Sequence, residues 1–107
     1  MTTQVDLCES DGTTAVITIS GELDAVASDG ARDRLLSLIP RGGTVRVDLS
    51  GLTYISSAGL RTLLLAHRHA QEEGSRIRFA GIRDEVRFVM SATGFLSLFD
   101  IEDVAVR

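Results

Sequence analysis

Apolar residues recur with a period of two in some stretches of this chain and at helical spacing in others, and the order of these stretches predicts the fold. Val5 and Leu7 stand opposite Gln4, Asp6 and Cys8, which predicts a short strand over 4–9. Asp11-Gly12 is a turn signal, and Ala15, Ile17 and Ile19 then share one face of a second strand from Thr14 to Ser20. The two form a β-hairpin, and Gly21-Glu22-Leu23-Asp24 closes its second strand. Asp24 is placed to cap a helix whose apolar positions are Ala27, Ala31, Leu35 and Leu38, with Arg32, Asp33 and Arg34 facing outward. Gly30 inside it costs about 1 kcal/mol relative to alanine, so the start can slip to Ser28. Pro40 and Gly42-Gly43 end it.

Val45, Val47 and Leu49 alternate with Arg46, Asp48 and Ser50, predicting a strand over 44–49, and a turn carrying Ser56, Ser57 and Gly59 follows. From about Ala58 to Glu73, Leu60, Leu63, Leu64 and Ala70 form a buried stripe, with Arg61, Arg68, Gln71 and Glu72 on the wet side and Gly74 as terminator. Ile77 and Phe79 point inward and Arg76 and Arg78 outward in a strand over 76–80, which Gly81 breaks. Asp84 is placed to cap a third helix bearing Val86, Val89 and Met90 and ended by Gly94. Leu96 to Val106 reads as a last strand, or a strand followed by a tail. The order β-β-α-β-α-β-α-β predicts a single α/β domain over 1–107, with a mixed, mostly parallel sheet flanked by helices and one antiparallel pairing from the hairpin.

Composition narrows the function more than the fold. With 107 residues, 44% hydrophobic and 24% charged, the chain supports one core and is not disordered. A net charge of −4 argues against direct nucleic-acid binding, which needs a basic face. The longest strongly apolar run, Leu63-Leu64-Leu65-Ala66, is too short for a membrane span, and the N-terminus lacks the regions of a signal peptide. Cys8 is the single cysteine, which excludes an internal disulfide and fits a reducing cytoplasm. With two histidines beside it, the usual ligands of a structural zinc site are too few, and no cofactor is expected.

Catalytic signals are weak. His67 and His69 lie two apart on one helix and point to different faces, so they form neither a dyad nor a metal pair. His67 stands about 15 Å along the helix from Ser57 and cannot serve it as a base. No nucleophile elbow, phosphate-binding glycine loop with lysine, or zinc motif is present, so the reading is non-enzymatic. Glu22 and Asp24 admit two readings. They are capping and solvated groups, or they stand at the C-terminal edge of the sheet where parallel α/β domains bind partners. Ser57 is expected to cap the second helix, stabilising it by about 1 kcal/mol. A phosphate at the same place would meet unpaired N–H groups and change the local charge by about −2.

The run Ile55-Ser56-Ser57-Ala58-Gly59-Leu60 resembles the apolar-Asp-Ser-Ser/Thr-Gly-Leu pattern of the STAS domain family, and within it the bacterial anti-sigma factor antagonists. Gly21-Glu22-Leu23-Asp24 is similar to that family's Gly-Glu-apolar-Asp signature after the second strand. Val86 to Asp100, with Gly94-Phe95 and Phe99, is similar to its third helix and the step beyond. The resemblance implies a cytoplasmic regulator whose partners are an anti-sigma factor acting as a serine kinase, and a phosphatase. The unmodified antagonist binds the anti-sigma factor and frees the sigma factor. Ser57 is the implied phosphoacceptor, and Glu22, Asp24, Ser56, Ser57, Ala58, Gly59 and Arg61 the implied partner surface. Ser56 replaces the family's aspartate and Ala58 its second hydroxyl residue. The alternatives are an unphosphorylated STAS scaffold or accessory subunit of a transporter or stress-signalling complex, and a small-ligand or nucleotide-binding domain using the helix N-termini.

Overall fold

The hairpin is held at its turn by one carboxylate. The computed structural model describes residues 3–102, in which β1 (Thr3–Ser10) pairs antiparallel with β2 (Thr14–Leu23). Asp11 Oδ1 accepts from the N–H groups of Thr13 (3.1 Å) and Thr14 (2.7 Å), and Gly12 takes the positive φ of 92° that the turn requires. Three crossovers follow: α1 (Ser28–Leu38) to β3 (Thr44–Ile55), α2 (Ser57–Glu72) to β4 (Arg76–Ala80), and α3 (Asp84–Ala92) to the two-residue β5 (Ile101–Glu102). The sheet order is β1-β2-β3-β4-β5, parallel from β2 onward. Each crossover advances one strand in the same direction, so right-handed connections put all three helices on one face. That face is the core: Ile17, Val47, Leu49 and Phe79 of the sheet meet Leu35, Leu63, Ala66 and Met90 of the helices, all fully buried. The opposite face carries Thr18, Arg46, Asp48 and Arg78 toward water.

Four details depart from the sequence expectations. Leu7 is exposed rather than inward. Helix α1 crosses β1 at the Val5 end, where Arg34 Nε donates to the Val5 carbonyl (3.1 Å), and a bulge between Leu7 and Glu9 disturbs the register beyond it. Strand β3 does not stop at residue 49 but runs to Ile55. Its pairing jumps from Thr18↔Asp48 to Ser20↔Gly51, then from Gly21↔Leu52 to Glu22↔Tyr54, so each bulge inserts one extra β3 residue. Leu49, Leu52 and Ile55 are therefore all buried at a spacing of three, which hides the strand from a search for period two. Asp84 does not cap α3: Arg83 occupies that place, and Asp84 lies in the first turn, near the positive end of the helix. The last strand expected from Leu96 is instead a 3₁₀ turn over Leu96–Leu98, an inward Phe99 whose ring packs at a tilt of 58° against Phe79 (centroids 4.9 Å), and the short β5. Residues 103–106 of that expectation lie outside the described residues. α2 ends as expected, with Ser75 N–H bonded to Ala70 O (2.7 Å) and Gly74 at φ 71°. Among the described residues, no helix is long and apolar enough to cross a membrane.

Two measurements test these features. If Leu52 belongs to the core, Leu52→Ala lowers unfolding stability in urea by about 3 kcal/mol, whereas a residue in an exposed turn would change it by about 0.5 kcal/mol or less. Backbone N–H groups of Thr13 and then Thr14 hold the Asp11 carboxyl below its usual 3.8. A folded-state pKa depressed in this way contributes stability above pH 3.8 that is lost as pH falls below it. The stability difference between parent and Asp11→Ala, read by thermal melts from pH 6 down to about pH 2, is expected to shrink in that acid window.

Candidate partner-docking site

The end of β2 and the start of α2 are joined through one carbonyl. Leu23 O accepts from the backbone N–H of Ser56 (3.0 Å) and from its hydroxyl (3.2 Å). Ser56 Oγ in turn accepts from Gly59 N–H (3.1 Å), and Ser56 O accepts from Leu60 N–H (2.9 Å). Ser56, in extended conformation at ψ 176°, is therefore the N-cap of α2, and Ser57 is its first helical residue. This corrects the expectation that Ser57 caps the helix. The physical reason is the longer β3, which delivers the chain to the helix one residue earlier. Ser57 is exposed, and its hydroxyl makes no hydrogen bond among the described residues.

Gly59 is fixed by proximity. A Cβ there would stand 2.6 Å from Leu23 O, 2.8 Å from Ile55 Cγ1 and 2.9 Å from Leu23 Cγ, so only glycine lets α2 approach the β2 terminus this closely. Gly59 is buried and presents no side chain to a partner. The same junction holds the acidic pair. Asp24 Oδ1 accepts from Ala27 N–H (2.9 Å), capping the turn that enters α1 rather than the helix itself, whose N-cap is Ala27. Asp24 O accepts from the Ser28 hydroxyl (2.6 Å), and Thr62 Oγ1 lies 3.3 Å from Ser28 O and 3.2 Å from Ala58 O. A chain of hydroxyls thus ties α1 to α2. Glu22 pairs in register with Tyr54, one residue before Leu23.

The structure therefore gathers Glu22, Asp24, Ser56, Ser57, Ala58 and Arg61 at one edge, the C-terminal end of the parallel strands. Ala58 and Arg61 also line a cleft of about 270 Å³ between α1 and α2, together with Ser28, Asp29, Arg32 and Thr62. Two residues of this edge escaped the sequence reading. Val26 is 92% exposed in the β2–α1 turn, and Tyr54 is 51% exposed on the last stretch of β3. A valine stranded between Asp24 and a helix start, outside any periodic stripe, is the signal that marks the first. Recognition of the longer β3 would have marked the second. Of the two, tyrosine is a residue type enriched in protein interfaces. His67 lies elsewhere, edge-on to Phe99 at 6.0 Å, and no cluster of possible metal ligands occurs among the described residues.

The division between the serines is measurable. Ser56→Ala is expected to lose about 1 kcal/mol of unfolding stability, Ser56→Asp to retain most of it, and Ser57→Ala to change it by less than about 0.5 kcal/mol. Gly59→Ala is expected to cost about 2 kcal/mol through overpacking against Leu23. Urea unfolding followed by circular dichroism reads all four; equal losses at Ser56 and Ser57 would contradict the assignment.

Comparison with known proteins places this geometry. The model of the STAS domain matches residues 4–105. The anti-sigma-B factor antagonist of Listeria monocytogenes is 24% identical over 105 residues, covering 97% of this chain and 92% of its own length. The fold superposes on the anti-sigma factor antagonist SpoIIAA in its unphosphorylated form with a TM-score of 0.77 at 22% identity, covering 95% and 89% of the two chains. It superposes on the Bacillus cell fate determinant SpoIIAA in the phosphorylated form with a TM-score of 0.69, also at 22% identity, covering 95% and 92%. A family match over nearly the whole sequence, together with the strand-turn-helix geometry at Ser56–Gly59, makes this chain a member of the STAS domain family.

Proposed function

We propose that this protein is an anti-sigma factor antagonist: a non-catalytic regulator that docks on an anti-sigma factor through the edge carrying Ser57, and thereby releases a sigma factor in the cytoplasm. Phosphorylation of Ser57 by that partner, acting as an ATP-dependent serine kinase, closes the switch, and a phosphatase reopens it. The observation that carries the reading is the state of Ser57. It stands on the first turn of α2, exposed and unengaged, while its neighbour Ser56 performs the capping. A kinase can thus modify the hydroxyl without breaking a structural bond.

The physics of the switch follows from that position. A phosphate at the first helical residue meets the positive end of the α2 dipole, so the modified helix stays folded. The new charge of about −2 falls on the same edge of the fold as the exposed Val26 and Tyr54, and desolvating it on partner binding opposes docking. The substitution of serine for the family's aspartate at position 56 leaves the cap intact, because the two residues are near-equal at that position. The relatives support the regulatory role, since one is named an anti-sigma-B factor antagonist and SpoIIAA is described in both unphosphorylated and phosphorylated forms.

Incubation with the cognate anti-sigma factor and ATP, followed by mass spectrometry, is expected to place one phosphate on Ser57 and none on Ser57→Ala. Ser57→Asp is expected to bind the anti-sigma factor about tenfold or more weakly than the parent, equivalent to about 1.4 kcal/mol or more. A parent protein that acquires no phosphate at Ser57 would sink the switch. If Ser57→Asp also binds as well as the parent, the protein acts as a constitutive STAS scaffold instead.

A further inference from the structure

The docking edge holds one arginine that the folded chain leaves unoccupied. Arg61 is exposed on α2, four residues after Ser57, and makes no ion pair or hydrogen bond among the described residues. Its neighbour across the cleft, Arg32, is already engaged by Asp29 (3.4 Å) and Asp33 (3.2 Å). The other charged groups at this edge are acidic: Asp29 across the cleft, paired with Arg32; Asp24, whose carboxylate takes the Ala27 N–H; and Glu22 at the end of β2. Arg61 is therefore the edge's available cation.

Its position relative to Ser57 is set by the helix. Residues four apart stand on one face with Cβ atoms about 6 Å apart, and helical Cα–Cβ bonds tilt toward the N-terminus. Arg61 thus leans back over the turn that begins with Ser57. An acid placed four residues ahead of a base is also the more favourable order of an ion pair on a helix. A guanidinium presents paired N–H donors that match two phosphate oxygens at once, which a lysine ammonium does not.

We propose that Arg61 captures the phosphate on Ser57 within the same chain, so that modification removes the free cation from the docking edge as well as adding negative charge. This inference rests on the reading of Ser57 as the phosphorylated residue, and deepens it. In the unmodified protein Arg61 is available to an acidic group of the partner. In the modified protein it is turned inward onto the phosphate, and the edge presents Glu22, Asp24 and a phosphate without a free counter-charge. One chemical event changes two features of the surface.

The test installs phosphoserine at position 57 of the full chain by genetic encoding or semisynthesis, so that no kinase is needed. Titration of its phosphorus resonance is then compared in the parent, Arg61→Gln and Arg61→Lys. The phosphate of the parent is expected to lose its second proton at a pH below the value of about 6 typical of phosphoserine. Arg61→Gln is expected to raise that midpoint by about 0.3 pH units or more, and Arg61→Lys to recover only part of the difference. Thermal melts of the unphosphorylated variants check the fold, and are expected to be unchanged because Arg61 is exposed and unpaired. Identical phosphate midpoints in parent and Arg61→Gln would overturn the inference while leaving phosphorylation of Ser57 itself untouched. Failure of a kinase to modify Ser57 would overturn the switch while leaving the measured pairing standing.

Discussion

The carbonyl of Leu23 is the constraint on which the candidate docking edge depends. It ends β2, receives both the N–H and the hydroxyl of Ser56, and lies 2.6 Å from where a Cβ of Gly59 would stand. At that one oxygen the ends of the second and third strands and the start of the second helix meet. Everything exposed at the edge is placed by it: Asp24 follows Leu23 directly, Ser57 follows Ser56, and Arg61 follows one turn later. A buried carbonyl with two donors and no room around it leaves little freedom for the groups outside it. The groups at the edge are thus positioned by backbone bonds and close packing beneath them.

Much of this architecture was legible because the sheet obeys simple periodicity over most of its length. Ala15, Ile17 and Ile19, then Val45 and Val47, then Ile77 and Phe79 alternate with polar neighbours and are buried as the alternation requires. The element order and the mixed, mostly parallel sheet followed from those patterns. The latter half of β3 was not legible, since two successive bulges convert a period of two into Leu49, Leu52, Ile55. This shift carried the error in the cap with it. A strand ending at residue 49 leaves a long turn in which Ser57 is the natural cap, whereas a strand ending at 55 makes Ser56 the cap. Asp84 shows the same limit on a smaller scale, because composition places an acid at a helix start but does not say on which side of the boundary it falls. Val26 and Tyr54 were invisible for another reason: exposure of an apolar side chain is a property of the assembled surface, and no periodic rule reports it.

The identity of residue 56 bears on the electrostatics of the proposed switch more than on the architecture of the junction. Serine and aspartate satisfy Gly59 N–H equally well as caps, so the backbone is indifferent to the choice. The charge is not indifferent. A carboxylate at 56 would stand beside the phosphate on 57, and two like charges at that separation oppose each other. With serine there, a modified Ser57 would stand at the positive end of α2 and four residues before Arg61, both attractive to a dianion. The acids of the edge, Glu22 and Asp24, belong to the β2 terminus, with Asp24 already turned to the Ala27 N–H. If Ser57 carries a phosphate, serine in place of the family's aspartate removes one repulsion from the modified state, so the exchange at position 56 is compatible with the proposed switch.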